Sequence, residues 1–329
     1  MPKYVCVDMG GTAIKYGLAT EMGEFVHKGQ IPNQIKTLGV QQIVTDIVKI
    51  VKFYQSAKWN NSDGKTKQKK TNYVDKDTDR KASEATGKDG DIVGLAVATA
   101  GIVDPNRGVI LYSGASFPGY SGFNLKATLE EATGLPCTVE NDVNAAGLGE
   151  SWLGAGKGAQ SMYGLMIGTG IGGCLIINNH LVRGAFYSAG EVGYQQTNRG
   201  KNWEETASAR ALVQEVAQAK NIPLDEIDGE KVFALAKNGD KAAQEAIEKT
   251  VAAWAMGIAN ICYIVNPERI IIGGGITAER AYLQPILTAK LQESLIPLVY
   301  EHTQVTFSQL GDKVGLLGAL GNFLQRAKK

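Results

Sequence analysis

Apolar and polar positions along this chain change period several times, and each change predicts an element. Residues 3–8 (Lys-Tyr-Val-Cys-Val-Asp) read as a strand that ends on an acid. A Gly-Gly turn follows, then Ala13 to Ala19 as a second strand and Met22-Gly23-Glu24 as a turn, which makes a hairpin. Across 38–55, Leu38, Ile43, Ile47, Ile50, Val51 and Tyr54 fall on one stripe of helical period. Ile92 to Val97 is nearly continuous in apolar residues, the mark of a strand covered on both faces. Ala98 to Pro105 reads as a turn, Val109 to Tyr112 as a short strand, and Asn124 to Thr133 as a helix stopped by Gly134. The strand Cys137-Thr138-Val139 runs into an Ala-rich helical segment in which Ala145, Ala146, Leu148 and Leu153 share a face. Met162 to Ile167 and Cys174 to Asn178 are strands on either side of a glycine turn. Helices are predicted over 203–220, 240–264, near 279–293 and over Gly315 to Ala327, with strands at Ile270 to Ile272 and near 303–307.

The strand–glycine turn–strand unit at 4–19 returns at 162–178, and each copy opens a series of alternating strands and helices. This echo predicts an α/β chain of two lobes of similar topology, each giving one glycine hairpin to a shared cleft. A chain of 329 residues agrees with roughly two domains. The expected lobes are 1–118 with about 309–329, and 119–308, with Phe117-Pro118-Gly119-Tyr120 as the hinge. Residues 56–91 break the pattern with Lys, Asp, Ser, Thr and Gly. They carry too little apolar surface to offset the entropy of ordering, and are expected to be a flexible surface insertion.

Composition narrows the partners. The formal net charge is +1 and no basic stripe appears, which argues against nucleic acid. No apolar run reaches membrane-spanning length, and the first residues carry neither a cationic leader nor the apolar core of a signal peptide. Cys6, Cys137, Cys174 and Cys262 are isolated in apolar contexts and read as free thiols in a reducing compartment. A cytoplasmic protein is expected.

Three glycine turns carry the candidate chemistry. In Asp8-Met9-Gly10-Gly11-Thr12-Ala13-Ile14-Lys15, the adjacent Gly10 and Gly11 let backbone amides approach an anion, and Thr12 adds a hydroxyl. Lys15 completes this first nucleotide-binding candidate, and Asp8 can hold a magnesium ion through water. Gly168-Thr169-Gly170-Ile171-Gly172-Gly173 has the G-x-G-x-x-G spacing, but a strand follows where a dinucleotide fingerprint needs a helix. A protein-kinase loop would be accompanied by H-R-D and D-F-G, which are absent, so Gly168, Thr169 and Gly170 read as a second phosphate-gripping turn. Gly273, Gly274 and Gly275 end a buried strand and clear space for a flat base. Between these turns, Asn141 and Asp142 sit where strand gives way to helix, at the strand edge where α/β sheets bind ligands. Asp142 could cap the helix or accept a proton from an attacking hydroxyl, with Asn141 bonding the substrate. Glu191 and Glu204 offer acceptors suited to vicinal sugar hydroxyls. Phosphoryl transfer needs positioning and charge neutralisation more than covalent help, so an ATP-dependent phosphotransferase is the economical reading.

The landmarks Asp8-Met9-Gly10-Gly11-Thr12, Glu140-Asn141-Asp142-Val143-Asn144-Ala145-Ala146, Gly168 to Gly173, Ala189-Gly190-Glu191-Val192-Gly193 and Gly273-Gly274-Gly275 resemble those of the ROK family of bacterial sugar kinases and repressors. That family belongs to the sugar kinase–actin–Hsp70 superfamily. The resemblance covers nearly the whole chain except 56–91. It implies a two-lobed, ribonuclease H-like (actin-like ATPase) fold with a central cleft, use of ATP and Mg2+, phosphorylation of a hexose at its 6-hydroxyl, and usually a homodimer. It implies Asp142 as general base, Asn141, Glu191 and Glu204 at the sugar, and Gly11, Thr12, Thr169 and Gly274 at the nucleotide.

One departure is large. Most of the family carries a histidine after the Ala-Gly-Glu-hydrophobic-Gly motif, then a cysteine cluster that binds structural zinc. Here Tyr194 stands at the histidine position and 195–202 has no cysteine, so no zinc site is expected. Tyr194 can still donate a hydrogen bond to the sugar. The expected substrate is glucose or a glucose-like sugar, with N-acetylmannosamine or a β-glucoside as alternatives within the class. The turn Ala98-Thr99-Ala100-Gly101 and Tyr120 are candidates for shaping that pocket. A sugar-responsive repressor would need a helix-turn-helix, and the chain opens directly on its first glycine hairpin.

Overall fold

The computed structural model describes residues 1–56, 91–114, 117–197 and 200–327. The expected insertion at 56–91 lies outside the described residues except at its two ends. The chain divides into two compact units, Met1–Gly149 with Asp312–Lys329, and Glu150–Gly311.

The first unit begins with β1 (Lys3–Met9), β2 (Ala13–Thr20) and β3 (Phe25–Pro32), followed by the helices α1 (Ile35–Leu38) and α2 (Val40–Gln55). Next come β4 (Ile92–Thr99), β5 (Ile102–Asp104), β6 (Val109–Tyr112), α3 (Leu125–Thr133), β7 (Cys137–Asn141) and α4 (Asp142–Leu153). The five-stranded sheet has the order β3-β2-β1-β4-β7, with β1 antiparallel to β2 and parallel to β4, and β4 parallel to β7. The α2 stripe of Ile43, Ile47, Ile50 and Val51 is buried against Val5, Val7, Leu95 and Val97 of the sheet. Burial of this kind stabilises by about 25 cal/mol for each Å² of apolar surface removed from water. The chain returns at its C-terminus as α11 (Val314–Ala327), which packs on β1, β4 and β7. Gly94 leaves room there for the Phe323 ring, which meets Tyr4 edge-on at 5.3 Å between centroids.

The second unit holds β8 (Ser161–Ile167), β9 (Ile171–Ile177) and β10 (His180–Val182), then α5 (Trp203–Ala207), α6 (Ala209–Lys220), α7 (Gly229–Lys237) and α8 (Lys241–Val265). It continues with β11 (Arg269–Gly273), α9 (Arg280–Ser294), α10 (Pro297–His302) and β12 (Gln304–Phe307). The sheet order β10-β9-β8-β11-β12 repeats that of the first unit, three antiparallel strands and then two parallel ones. The sequence echo at 4–19 and 162–178 is thus an echo of topology. Trp254, Ile258, Leu165, Ile270 and Ile272 lie in the core of this unit.

Four expectations change. The boundary expected at residue 118 falls at Gly149, because α3 and β7 complete the first sheet. The expected hinge at 117–120 is anchored at both ends instead: Tyr120 is 0% exposed and stacks on the buried Phe117 with centroids 5.6 Å apart, while Pro118 and Gly119 are exposed. The single helix expected over 203–220 divides at Ser208, whose extended backbone and hydroxyl cap α6 by accepting the Ala211 N–H. Ala98, Thr99 and Ile102 to Asp104, expected in a turn, are strand residues, because β4 runs on to pair Thr99 with both Met9 and Asn141.

Candidate active site

Register brings the chemistry of the first unit to one sheet edge. Asp8 on β1 lies beside Ala98 on β4, and Ala98 beside Glu140 on β7. The next residues in register are Met9, Thr99 and Asn141. The Gly10–Thr12 turn and the start of α4 therefore leave the sheet at the same level, the C-terminal edge of its parallel strands. The turn closes when Gly10 N–H donates to the Ala13 carbonyl at 3.0 Å, leaving Gly11 and Thr12 exposed. Asn33 braces it from β3's end: its Nδ2 donates to the Gly10 carbonyl at 2.8 Å, and its backbone N–H to the Thr12 carbonyl at 2.9 Å. Asn33 carries no motif, so spacing gave no sign of it.

Lys15 pairs with Asp8 across the hairpin. Burial pushes the Asp8 carboxyl above the ordinary aspartate range, and the Lys15 charge partly offsets the rise. Gly315 at the start of α11 leaves just enough room for the Asp8 carboxylate beside its Cα. A single Asp8 carboxylate beside the turn would suit a magnesium ion that keeps its own water shell rather than one caged by protein oxygens.

At the β7–α4 junction, Asn141 caps the helix: its Oδ1 accepts the Asn144 N–H at 2.9 Å. The cap role considered for Asp142 thus falls to its neighbour. Asp142 Oδ1 accepts its neighbour's Val143 N–H at 2.9 Å and the Asn141 Nδ2 at 3.1 Å. Asn141 Nδ2 also donates to the Gly101 carbonyl at 3.0 Å. Close by, the Tyr120 hydroxyl and Thr99 Oγ1 lie 2.9 Å apart. Burial pushes the Tyr120 hydroxyl up, Thr99 holds it partly down, and the Asp142 charge adds to the rise. A helix N-terminus favours a negative carboxylate at Asp142.

The second unit gathers two glycine turns and two acids. The Gly168–Gly170 turn is closed by Gly168 N–H on the Gly170 carbonyl at 2.9 Å and tied to α6 by Ala209 N–H on the Gly168 carbonyl at 2.9 Å. Gly273 pairs with Met166, and Gly274, with φ of +98°, passes so close to the Ile167 carbonyl that no side chain fits. The second and third glycine motifs are therefore neighbours at the ends of β8 and β11. Glu204, on α5, does not stand free: its Oε2 accepts the Ile171 N–H at 3.3 Å and lies over Gly170 and beside Gly193. Glu191 precedes the tight turn Val192–Tyr194, and its carboxyl is pushed up, first by loss of water and then by the Glu204 charge. Tyr194 is 56% exposed.

Among the described residues, no three His, Cys, Asp or Glu side chains gather as a metal-binding group, and no helix is long and apolar enough to cross a membrane. The four cysteines are buried free thiols.

A sequence model of the ROK family matches residues 66–326. A β-glucoside kinase of Listeria monocytogenes is 35% identical over 271 residues, 76% of this chain and 90% of the relative. Among solved structures, a Listeria monocytogenes protein proposed to be an N-acetylmannosamine kinase is 30% identical and superposes with a TM-score of 0.79, covering 99% of both chains. A ROK family glucokinase of Streptomyces griseus, solved with glucose and AMPPNP, is 27% identical with a TM-score of 0.73, covering 97% of this chain and 98% of that one. The fold shared with these proteins is the α/β fold of the actin-like ATPases.

Proposed function

From a chain that belongs to the ROK family and is a sugar kinase, we propose an ATP-dependent hexose kinase that phosphorylates the 6-hydroxyl of glucose or a glucose-like sugar. One observation carries the residue assignment. The Asp142 carboxylate stands at the first residue of α4, is hydrogen-bonded through Oδ1 by Asn141 and Val143, and shares a sheet edge with the Gly10–Thr12 turn. In this reading Asp142 accepts the proton from the attacking sugar hydroxyl, which makes the oxygen a competent nucleophile towards the terminal phosphate of ATP. Proton transfer to a positioned carboxylate of this kind accelerates a reaction by about 10²- to 10⁴-fold.

The remaining roles follow from the chemistry of each group. Gly10 and Gly168 close their turns with their own N–H groups, and Gly11, Thr12, Thr169 and Gly170 present backbone amides and hydroxyls to the phosphates, with Lys15 adding positive charge. Gly273 and Gly274 leave backbone bare for the base. Magnesium, held by Asp8 through water, supplies neutralisation of the phosphate charge when bound. Glu191 and Glu204 accept hydrogen bonds from sugar hydroxyls, Tyr194 donates one, and Asn141 Oδ1 keeps a second lone pair for the substrate. A β-glucoside is the second reading, supported by the 35% identity to a β-glucoside kinase.

The test is a panel of glucose, N-acetylmannosamine and β-glucosides in a coupled assay of ADP release with Mg-ATP. Turnover of glucose or a β-glucoside, with the phosphate on oxygen 6, supports the proposal. Phosphorylation at another hydroxyl, or none of any sugar, overturns it.

A further inference from the structure

Glu140 is an acid with no place in the proposed chemistry. It lies on β7, is 0% exposed, and faces the interior of the first unit. A carboxylate so far from water is costly, and is tolerated where it accepts hydrogen bonds. Its Oε1 accepts two: the Asn141 N–H at 3.1 Å and the Asn144 Nδ2 at 3.1 Å. Asn144 is itself buried, and its backbone N–H donates to Asn141 Oδ1 at 2.9 Å. This acceptance settles which end of the Asn141 amide is oxygen. The nitrogen end then faces the Gly101 carbonyl at 3.0 Å and Asp142 Oδ1 at 3.1 Å. Three hydrogen bonds thus link an interior acid to the carboxylate at the sheet edge.

We infer that Glu140, acting through Asn144 and Asn141, is a positioning residue that sets the direction of the Asp142 carboxylate. The inference rests on the reading of Asp142 as general base. The physical argument is one of tolerance. The β7–α4 junction must turn the chain from strand to helix within one residue, and a free Asn141 amide could rotate about its last torsion. Two bonds from one buried oxygen pin the strand side at 141 and the helix side at 144. Buried hydrogen-bond networks that are fully satisfied specify one geometry, and a loss at one member spreads to the rest. Proton abstraction falls steeply when the base is displaced by even an ångström.

The experiment uses the full chain, Mg-ATP and the sugar the panel identifies, with kcat, sugar KM and the pH dependence of kcat measured for each variant. Glu140→Asp withdraws the oxygen by one methylene, and Asn144→Ala removes the side-chain link while leaving the backbone N–H. Each should lower kcat about tenfold to a hundredfold with sugar KM within about threefold. Each should also move the acid limb of the kcat profile upward, because a carboxylate that loses a donor becomes more basic. The double variant should be no worse than the weaker single, since both cut one chain. Glu140→Gln keeps a carbonyl oxygen in place and should restore most of the rate. Wild-type kcat and acid limb in folded Asn144→Ala would overturn the inference, as would a rise in KM alone. Should Glu140→Asp fail to fold, Asn144→Ala decides. Asp142→Asn separates the two levels: an active Asp142→Asn removes the base assignment and this inference with it. An inactive one beside a normal Asn144→Ala removes only the inference.

Discussion

The Gly318 Cα lies against the backbone carbonyl of Ala145, so closely that a methyl group at 318 would overlap it. Gly149 meets the Val314 carbonyl in the same way. These glycines let α4 and α11 cross backbone to backbone, and α4 begins with Asp142. Helices with side chains at the contact keep their axes about 8–10 Å apart. Gly318→Ala should therefore push α4 aside and cost about 1–3 kcal/mol. The cost should appear as a lowered melting temperature, with kcat falling further than the fraction unfolded accounts for. A variant that melts and turns over as wild type would mean the two helices separate freely.

Asp142→Asn should reduce kcat by about 10²- to 10⁴-fold, because an amide cannot take the proton from the attacking hydroxyl. The substitution is nearly isosteric, and its Oδ1 can still accept the Val143 N–H. Sugar binding, measured by calorimetry without nucleotide, should stay within a few-fold of wild type. A turnover near wild type would remove Asp142 from the proton path.

Much of this was legible in the chain itself, and what was not has identifiable causes. The α2 stripe, the α8 stripe and the two glycine hairpins declared themselves through periodicity over many residues. β3 was missed because Phe25–Pro32 shows no clean alternation; it is an edge strand, only partly buried. α7 and α10 were missed because each has few turns in which a period can repeat. The motifs singled out Asp142 and Glu191 as candidate site acids, and the acids after Trp203 added Glu204. They could not indicate that Glu204 lies on the Ile171 amide, or that Asn33 braces the first turn, because both contacts join residues distant in sequence. Glu140 lies within a motif, but its burial depends on the pleat of β7, which spacing alone does not fix.

Glu191 gives a prediction in pH. Its carboxyl titrates above the ordinary glutamate value in the folded chain, through burial and the Glu204 charge. The folded state then binds its proton more tightly than the unfolded chain. Its contribution is fully present below the unfolded value and lost as pH rises through the raised one. Glu191→Gln carries no such charge. Melting temperatures from about pH 4 to about pH 8 should show the variant gaining on wild type through the titration and then holding a constant lead. Sugar affinity should fall in the same variant, since an amide is a weaker acceptor for hydroxyls. A difference that shrinks with rising pH would show that the carboxyl titrates below its ordinary range.

Among the described residues Glu150 is the other acid at 0% exposure, and it gathers donors from two segments of the second unit. Its Oε2 accepts the Ala155 N–H at 2.7 Å, and its Oε1 accepts Ser308 Oγ at 2.6 Å and the Leu310 N–H at 3.1 Å. Removing the acceptor leaves one buried and two part-buried donors unmatched, each costing about 1–3 kcal/mol when water does not reach it. Glu150→Ala should therefore lose about 3 kcal/mol or more, among the larger effects of a single substitution. Glu150→Gln should lose less but still clearly, because its amide nitrogen must face N–H or O–H groups. Urea titration is the direct measure, with the midpoint falling and the slope unchanged. A loss below about 1 kcal/mol for Glu150→Ala would mean that water replaces the carboxylate and satisfies the same donors.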